Sequence, residues 1–264
     1  MTALPSALLP ALGGLGLLVG SFLNVVVHRV PAGQSLVRPR SSCPACGHAV
    51  RSYDNVPLLS WLVLRGRCRD CSTPISWRYP VVEGSAGLMF LAVGVQVGLS
   101  WYLAAVLALA VAGVALAVID LTHQRLPFVV TGAAAALTAV LLAADAVTRG
   151  PGPIPVALMS TGVWLAVYGG VWLVTTGRGM GLGDVALAPL LGLTLGWGGW
   201  GASLTGLLGG FALGAVTGVA LVAARLVTRR SRIAHGPFML AGAAVGLFAG
   251  PQLWRSYLAF AGLA

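Results

Sequence analysis

Eight long apolar windows dominate this sequence and restrict it to folds that are embedded in lipid. Each is close to the roughly 20 apolar residues that a helix needs to cross the hydrocarbon core of a bilayer. Because backbone groups in lipid must find hydrogen-bond partners within their own segment, each window is predicted to be a helix. We therefore expect an all-α polytopic membrane protein with about eight transmembrane helices. The windows are 7–27, 81–99, 101–119, 128–147, 154–176, 185–200, 201–224 and 237–257.

The charged residues exclude a soluble protein and predict an orientation. Only 8% of residues are charged, whereas soluble domains carry about 25%. The net charge of +10 would suit nucleic acid, but the arginines follow the positive-inside rule, so no nucleic-acid partner is expected. With the N-terminus outside, only Arg149 and Arg255 fall on the outer side. The inner-side arginines, which also suit contact with anionic membrane lipid, are Arg29, Arg38, Arg40, Arg51, Arg65, Arg67, Arg69, Arg78, Arg125, Arg178, Arg225, Arg229, Arg230 and Arg232.

One polar segment, 28–80, interrupts the apolar pattern. We interpret it as a small cytosolic domain between a first transmembrane helix, 1–27, and a membrane core, 81–264. It contains two CxxC pairs separated by 21 residues, which can complete a closed tetrahedral site for structural zinc, as in a zinc ribbon. The alternative is two free or redox-active pairs. The four predicted metal ligands are Cys43, Cys46, Cys68 and Cys71.

Two of the six acidic residues are candidates for chemistry. Asp120 ends the third window and Asp184 opens the sixth after a glycine-rich turn, so both are predicted at the cytoplasmic end of the helices. Ionisable groups at membrane depth are costly and often functional. The structural alternatives are a helix cap at Asp184 and an interfacial acid at Asp120. Asp145 is instead expected to pair with Arg149 four residues later.

Two carboxyl groups in a partly dry site share one proton, because both cannot easily ionise. Such a pair supplies an acid that polarises a carbonyl and a base that activates water, which is the chemistry of an aspartic protease. From the dipoles of the two helices that carry them, we expect Asp120 to hold the shared proton and Asp184 to act as the base.

Several short motifs, in this order, resemble the bacterial type IV prepilin peptidases over nearly the whole chain. The matching stretches are GSFLNVV at 20–26 with Arg29 and Pro31, the two CxxC pairs, ISWRYP at 75–80 with Glu83, IDL at 119–121 with His123 and LP at 126–127, GMGLGD at 179–184, and GPF at 236–238. The chain departs from the usual pattern at Ala186, where a Lys is common, and at Phe128, where an acid is common.

The resemblance implies a polytopic aspartic endopeptidase of the inner (plasma) membrane, with Asp120 and Asp184 as the catalytic pair facing the cytoplasm. It also implies that the substrates are prepilins or pseudopilins of type IV pili and protein secretion, whose basic leader is removed. Members with the N-terminal domain also N-methylate the new terminus with S-adenosylmethionine, so a second, methyltransferase activity is expected. Residues that bind this donor are not recognisable in the sequence.

Two other functions fit parts of the sequence. A proton-coupled transporter would use the two aspartates as relays, although transport sites favour the membrane midplane. A non-enzymatic assembly factor would use the zinc domain to recruit partners, with the acids acting as caps. Glu83, just inside the second window, is expected to have a structural role such as orienting Arg78, and the alternative is a place in the substrate path.

Overall fold

The computed structural model describes residues 4–38, 40–228, 231 and 233–263. Arg229, Arg230 and Arg232, and the outermost ends of the predicted domains at 1–3 and 264, lie outside the described residues. In these ranges the chain is helical, and the extended pairing consists of two isolated bridges. The α-helices are α1 (Leu9–Arg29), α2 (Leu59–Val63), α3 (Arg78–Val97), α4 (Trp101–His123), α5 (Phe128–Arg149), α6 (Ile154–Val174), α7 (Leu182–Trp197), α8 (Trp200–Ala223) and α9 (Gly236–Phe260).

The helices confirm the predicted all-α membrane fold. Seven helices of the described chain are long and apolar enough to cross a bilayer, namely α1, α3, α4, α5, α6, α8 and α9. The eighth predicted span, α7, is a shorter apolar helix of 16 residues, or about 24 Å. The described part of the chain therefore has seven helices of membrane-spanning length and one shorter apolar helix, α7, which glycine-rich turns bound on both sides.

The chain divides into two compact units, Met1–Leu103 and Ala104–Ala264. In the first unit, α1 and α3 pack closely at Gly20. A Cβ added to this glycine would lie only 2.6 Å from Glu83 Cα, so a larger residue would push the two helices apart. The Asn24 side-chain amide donates to the Tyr79 carbonyl oxygen at 3.3 Å, at the same end of the pair. This first unit also contains the polar segment, which connects α1 to α3.

The second unit is organised around α7, which packs against α6 and is largely buried. Ser160 on α6 donates to the Gly192 carbonyl oxygen on α7 at 2.7 Å and also hydrogen-bonds Ser203 on α8. The Trp164 indole N–H donates to the same Ser203 hydroxyl at 3.0 Å. These bonds satisfy polar groups that have no water to bind in lipid, and they connect three helices.

A third buried acid, Asp145, lies beside the C-terminal end of α7, opposite the end that carries Asp184. Asp145 is 2% exposed and accepts a hydrogen bond at 3.0 Å from the indole N–H of Trp197, the last residue of α7. The predicted pair with Arg149 is present, with 3.6 Å between Arg149 NH1 and Asp145 Oδ1. Trp197 lies thirteen positions after Asp184, so Asp145 and Asp184 lie about 20 Å apart along the axis of α7. This agrees with the predicted antiparallel alternation of the spans.

Helices α8 and α9 approach one another through glycine. A Cβ on Gly242 would lie 2.5 Å from the Gly206 carbonyl oxygen and would collide with the Gly210 backbone nitrogen. Neither obstacle is a flexible side chain, so the helices would have to separate. We expect Gly242→Ala to destabilise the protein by about 1–3 kcal/mol, the usual cost of overpacking.

Thermal unfolding in detergent measures this effect. The matched control is Gly170→Ala on α6, where a Cβ meets nothing within 4 Å and the change favours the helix by up to about 1 kcal/mol. Equal unfolding midpoints for the two variants would contradict the close packing of α8 and α9.

Candidate active site and metal site

Asp184 lies in the first turn of α7 and closes the glycine-rich turn that precedes it. Its Oδ2 accepts the Gly181 N–H at 3.2 Å, and its own N–H donates to the Gly181 carbonyl oxygen at 3.1 Å. The expected capping role is therefore present for one carboxylate oxygen. The side chain is nonetheless buried, with 8% exposed, which a solvated helix cap does not require.

Asp120 lies near the end of α4 and is tied to the start of another helix. Its Oδ2 accepts the backbone N–H of Gly236, the first residue of α9, at 3.1 Å. Asp120 is 5% exposed. A Cβ at position 236 would lie 2.7 Å from this same oxygen, so the contact requires glycine. The motif GPF at 236–238 thus has a physical role: it brings a helix N-terminus against the acid.

Leu126 connects the surroundings of the two acids. A Cβ on Gly236 would lie 3.2 Å from Leu126 Cδ1, and a Cβ on Gly183 would lie 2.8 Å from Leu126 Cβ. Leu126 therefore fills the space between Gly236, which contacts Asp120, and Gly183, which precedes Asp184. The two carboxylates also interact electrostatically. The structure thus brings both predicted acids together at one end of the second unit.

The dipole argument for their roles changes once α9 is included. The C-terminal end of α4 disfavours a negative charge on Asp120, but the N-terminal end of α9 favours it and donates an N–H to it. These two contributions oppose each other. Helix dipoles therefore do not decide which carboxyl holds a shared proton, and the predicted order stays a prediction.

Tyr168 and His235 are polar residues near the pair that the sequence interpretation missed. Tyr168, on α6, is fully buried and interacts electrostatically with Asp184. Its ring centroid lies 5.9 Å from that of His235, which directly precedes Gly236. Within the described ranges, neither the Tyr168 hydroxyl nor His235 Nε2 has a hydrogen-bond partner. A tyrosine deep in an apolar span was the available signal, because its hydroxyl needs a partner there.

The four cysteines lie in two turns of the same construction. Cys43 N–H donates to the His48 carbonyl oxygen and Gly47 N–H to that of Cys43, both at 2.9 Å. The second turn repeats this pattern, with Cys68 N–H donating to Thr73 at 2.8 Å and Ser72 N–H to Cys68 at 3.0 Å. Gly47 adopts a positive φ of 74°, and Ser72 adopts 57° at the equivalent place of the second turn.

The sulfur positions fit a tetrahedral metal ion. All four Sγ atoms lie within 4.8 Å of one another, and Cys43 Sγ is 3.8 Å from Cys71 Sγ. Four thiolates at about 2.3 Å from a central ion would stand about 3.8 Å apart. All four cysteines are free thiols, with no disulfide among them. His48, although it lies next to the first turn, is not a member of the cluster.

The thiols differ in how readily they ionise. Hydrogen bonding with Thr73 lowers the pKa of Cys71 to about 6. The backbone hydrogen bond at His48 lowers the pKa of Cys46, but desolvation and the neighbouring thiols outweigh it and raise that pKa to about 12. A divalent cation at the centre would supply the positive charge that allows all four to ionise.

Glu83 has a structural contact, but not the expected one. Its Oε2 accepts the backbone N–H of Leu58 at 2.8 Å, while the buried Arg78 Nε has no hydrogen-bond partner in the described part of the chain. The expectation that Glu83 orients Arg78 was therefore wrong. The carboxylate instead holds Leu58, a non-glycine residue at φ 58°, in a conformation that costs about 1–3 kcal/mol.

The two departures from the family pattern lie near the acids in sequence. Ala186 is half-buried on α7, two residues after Asp184, and Phe128 is exposed at the first position of α5. Neither departure removes a carboxylate from the pair.

Two families match the chain in succession. The family described as "Bacterial Peptidase A24 N-terminal domain" matches residues 15–97, and the "Type IV leader peptidase family" matches residues 107–223. The second match includes both Asp120 and Asp184, and the first includes all four cysteines.

Several curated proteins resemble the chain over most of its length. A protein of Stutzerimonas stutzeri is 36% identical, covering 94% of this chain and 93% of the relative. A protein of Pseudomonas aeruginosa is 35% identical, covering 94% and 92%. A protein of Myxococcus xanthus is 44% identical over 80% of this chain and 62% of the relative. All three are named prepilin leader peptidase/N-methyltransferase. No solved structure matches this chain.

The cysteine cluster predicts a bound metal. Elemental analysis of the purified chain is expected to find a single metal ion per chain, and Cys68→Ser is expected to lose it, because three thiolates cannot close the tetrahedron. The matched control is His48→Ala, which leaves its backbone hydrogen bond with Cys43 in place and should retain the metal. Loss of metal from the His48 variant but not from the Cys68 variant would contradict the four-cysteine site.

Proposed function

We infer the function from one premise: this chain belongs to the type IV leader peptidase family. We propose that it is a membrane-embedded aspartic endopeptidase that removes the leader from type IV prepilins or pseudopilins. The observation that carries the proposal is the meeting of two buried carboxyl groups, Asp120 and Asp184, from α4 and α7 at one end of the second unit. The family resemblance assigns the catalytic role to the same two positions.

The contacts of the two acids support a general acid–base mechanism. One carboxylate takes a proton from a water molecule while the protonated partner donates to the carbonyl oxygen of the scissile peptide. The water oxygen bonds to the carbonyl carbon to give a tetrahedral intermediate. The C–N bond then breaks as the nitrogen takes the proton from the first carboxyl group, while a hydroxyl of the intermediate returns its proton to the second, so that the pair again holds one proton. The Gly236 N–H donates to Asp120 Oδ2 and the Gly181 N–H to Asp184 Oδ2. These two hydrogen bonds fix the orientation of each carboxyl group, so that its Oδ1 is left for water or substrate.

The Tyr168 hydroxyl would find its hydrogen-bond partner in this mechanism. It is buried, it interacts with Asp184, and among the described residues it has no hydrogen-bond partner. A water or substrate oxygen held between the acids would accept a hydrogen bond from this hydroxyl. We propose Tyr168 as a positioning residue for the reacting water.

The arginine distribution supports a location in the bacterial inner membrane with the site toward the cytoplasm. Within the second unit, the ends of α4 and α6 and the starts of α7 and α9 share one side with Arg125, Arg178 and Arg225. Prepilin leaders are basic by the family resemblance. We propose that the leader lies at this cytoplasmic surface, with the apolar pilin helix in the membrane. Membrane lipid is then the surrounding partner, and nucleic acid has no part.

The names of the relatives support a second activity, N-methylation of the new amino terminus with S-adenosylmethionine as donor. The donor would supply a methyl group to the amine, which loses a proton. The described residues contain no strand followed by a glycine-rich turn and a helix, the arrangement that binds nucleotides in Rossmann folds. We therefore derive no transfer step and assign no donor-binding residue.

Zinc is the metal that we propose for the cysteine cluster. Four thiolates in a closed tetrahedron favour zinc over hard cations. The site is full with its four ligands, so its role is to hold the polar segment 28–80 together. The domain limits of 1–27, 28–80 and 81–264 stay a prediction.

Replacing either acid should abolish cleavage. We expect Asp120→Asn and Asp184→Asn each to lower kcat for a purified prepilin by about a thousandfold or more, because neither variant can share a proton between two carboxyls. The matched control is Asp145→Asn, a third buried acid at the other end of α7, which should keep near-normal kcat.

Mass spectrometry of the N-terminal peptide of the pilin measures both leader removal and methylation of the new terminus in one experiment. Full cleavage by both well-folded active-site variants would rule out the aspartic mechanism. Absence of cleavage by the unaltered protein would instead favour a role as an assembly factor. Proton-coupled transport that depends on both acids, without cleavage, would favour the transporter.

Removing the Tyr168 hydroxyl should slow the chemical step. We expect Tyr168→Phe to lower kcat about tenfold, the equivalent of one hydrogen bond worth about 1.4 kcal/mol. KM should change little, since the proposed role of the hydroxyl is to position the reacting water and not to bind the substrate. The matched control is Tyr102→Phe, at the far end of α4 from Asp120. A loss that appears only in KM would contradict the positioning role.

A further inference from the structure

The short helix α2 presents an apolar face that nothing in the described chain covers. Leu59, Leu62 and Val63 are 58%, 64% and 66% exposed. Their spacing of three and four residues places them on one side of the helix. On the other side, Ser60 is buried and its hydroxyl donates to the Tyr53 carbonyl oxygen at 3.0 Å. The helix is thus oriented, with its polar side turned toward the protein.

The start of α2 is fixed at the depth of a membrane-spanning helix. Leu58, its N-cap, donates its N–H to Glu83 Oε2 at 2.8 Å. Glu83 lies five residues inside α3, which begins at Arg78, and this corresponds to about 7.5 Å along the axis. Leu58 Cδ2 would also lie 3.9 Å from a Cβ on Gly84. The N-terminal end of α2 therefore lies beside the second turn of α3, a helix long and apolar enough to cross a bilayer.

Aromatic residues hold the middle of α2 at the same boundary. The rings of Trp61 and Trp77 lie 4.2 Å apart between centroids, and Trp77 directly precedes α3. The Trp61 indole N–H donates to the Ile75 carbonyl oxygen at 3.3 Å. Tryptophan is enriched at the membrane–water interface, where its ring lies at headgroup level.

The charges around α2 suit an anionic membrane surface. Residues 28–80 contain eight arginines and only two acids, Asp54 and Asp70. Arg69 pairs with Asp54 and Arg51 with Asp70, and the Arg69 hydrogen bond lowers the pKa of Asp54. Both acids are therefore held by arginine. Arg65 and Arg67, just after α2, are exposed beside the apolar face.

We propose that α2 is an interfacial helix that inserts Leu59, Leu62 and Val63 among the acyl chains of the bilayer. Glu83 sets its depth through Leu58, and the exposed arginines contact the headgroups. The cysteine-containing segment is thereby held flat against the membrane surface from which α3 starts. The occupant of this face is lipid, because α2 lies against the start of α3 through Glu83 and Trp77, where the apolar side chain of Val81 is likewise 63% exposed. The inference stands independently of the peptidase activity.

Photocrosslinking to lipid tests the insertion directly. A benzophenone side chain is placed at position 62 in the full-length protein, in nanodiscs of phosphatidylethanolamine and phosphatidylglycerol with alkyne-tagged acyl chains. Labelling should match that of a probe at position 88, an exposed position on α3, within about threefold, and exceed that at position 50, in the first cysteine turn, about tenfold.

The same probe distinguishes lipid from other occupants. Labelling at position 62 as low as that at position 50 would overturn the proposal. So would a crosslink to an added prepilin that forms in place of the lipid adduct, since that would make the face a substrate site.

A second variant tests the role of Glu83. Glu83→Ala should lower lipid labelling from position 62 at least fivefold and leave labelling from position 88 unchanged, because Leu58 loses its acceptor. The matched control is Ser85→Ala, whose hydroxyl bonds only within α3, to the Val82 carbonyl oxygen. Undiminished labelling in the Glu83 variant would show that this carboxylate does not set the depth of α2.

Discussion

The hydrogen bond from the Gly236 N–H to Asp120 is the contact on which the candidate site depends. It joins residues 116 positions apart and brings the end of α4 against the start of α9. In lipid, a buried carboxylate without such a donor would be costly. A free helix N-terminus would likewise leave backbone N–H groups without partners. The carboxylate of Asp120 thus gains a hydrogen-bond donor, and the N-terminus of α9 gains an acceptor. Leu126 fills the space between this contact and the turn before Asp184.

The sequence was sufficient to predict the architecture, because lipid imposes strong rules on an apolar chain. Continuous apolar windows must be helices, and arginine placement orients them. The same scarcity of charge made Asp120 and Asp184 conspicuous among only six acids. The cysteine spacing predicted a cluster whose sulfur atoms do converge. These features are local in sequence, which explains why they were predictable.

The features that sequence reasoning missed depend on contacts between distant segments. Nothing near Gly236 indicates that its N–H will meet Asp120. Glu83 seemed positioned to orient Arg78, its neighbour on α3, yet it accepts a hydrogen bond from Leu58, 25 residues earlier. The shape of the polar segment, which carries Leu58 back to α3, decides that contact. Tyr168 gave a local signal, but only the fold relates its hydroxyl to Asp184.

The shortness of α7 affects how a substrate would meet the acids. At about 24 Å, α7 falls about 6 Å short of a typical hydrocarbon thickness. A membrane with such a helix adapts by thinning locally or by admitting water at the helix end. A full-length pilin helix beside it would extend past the thinned region by about four residues. Those residues would be in water, where a peptide unit can leave the helical conformation and expose its carbonyl to attack.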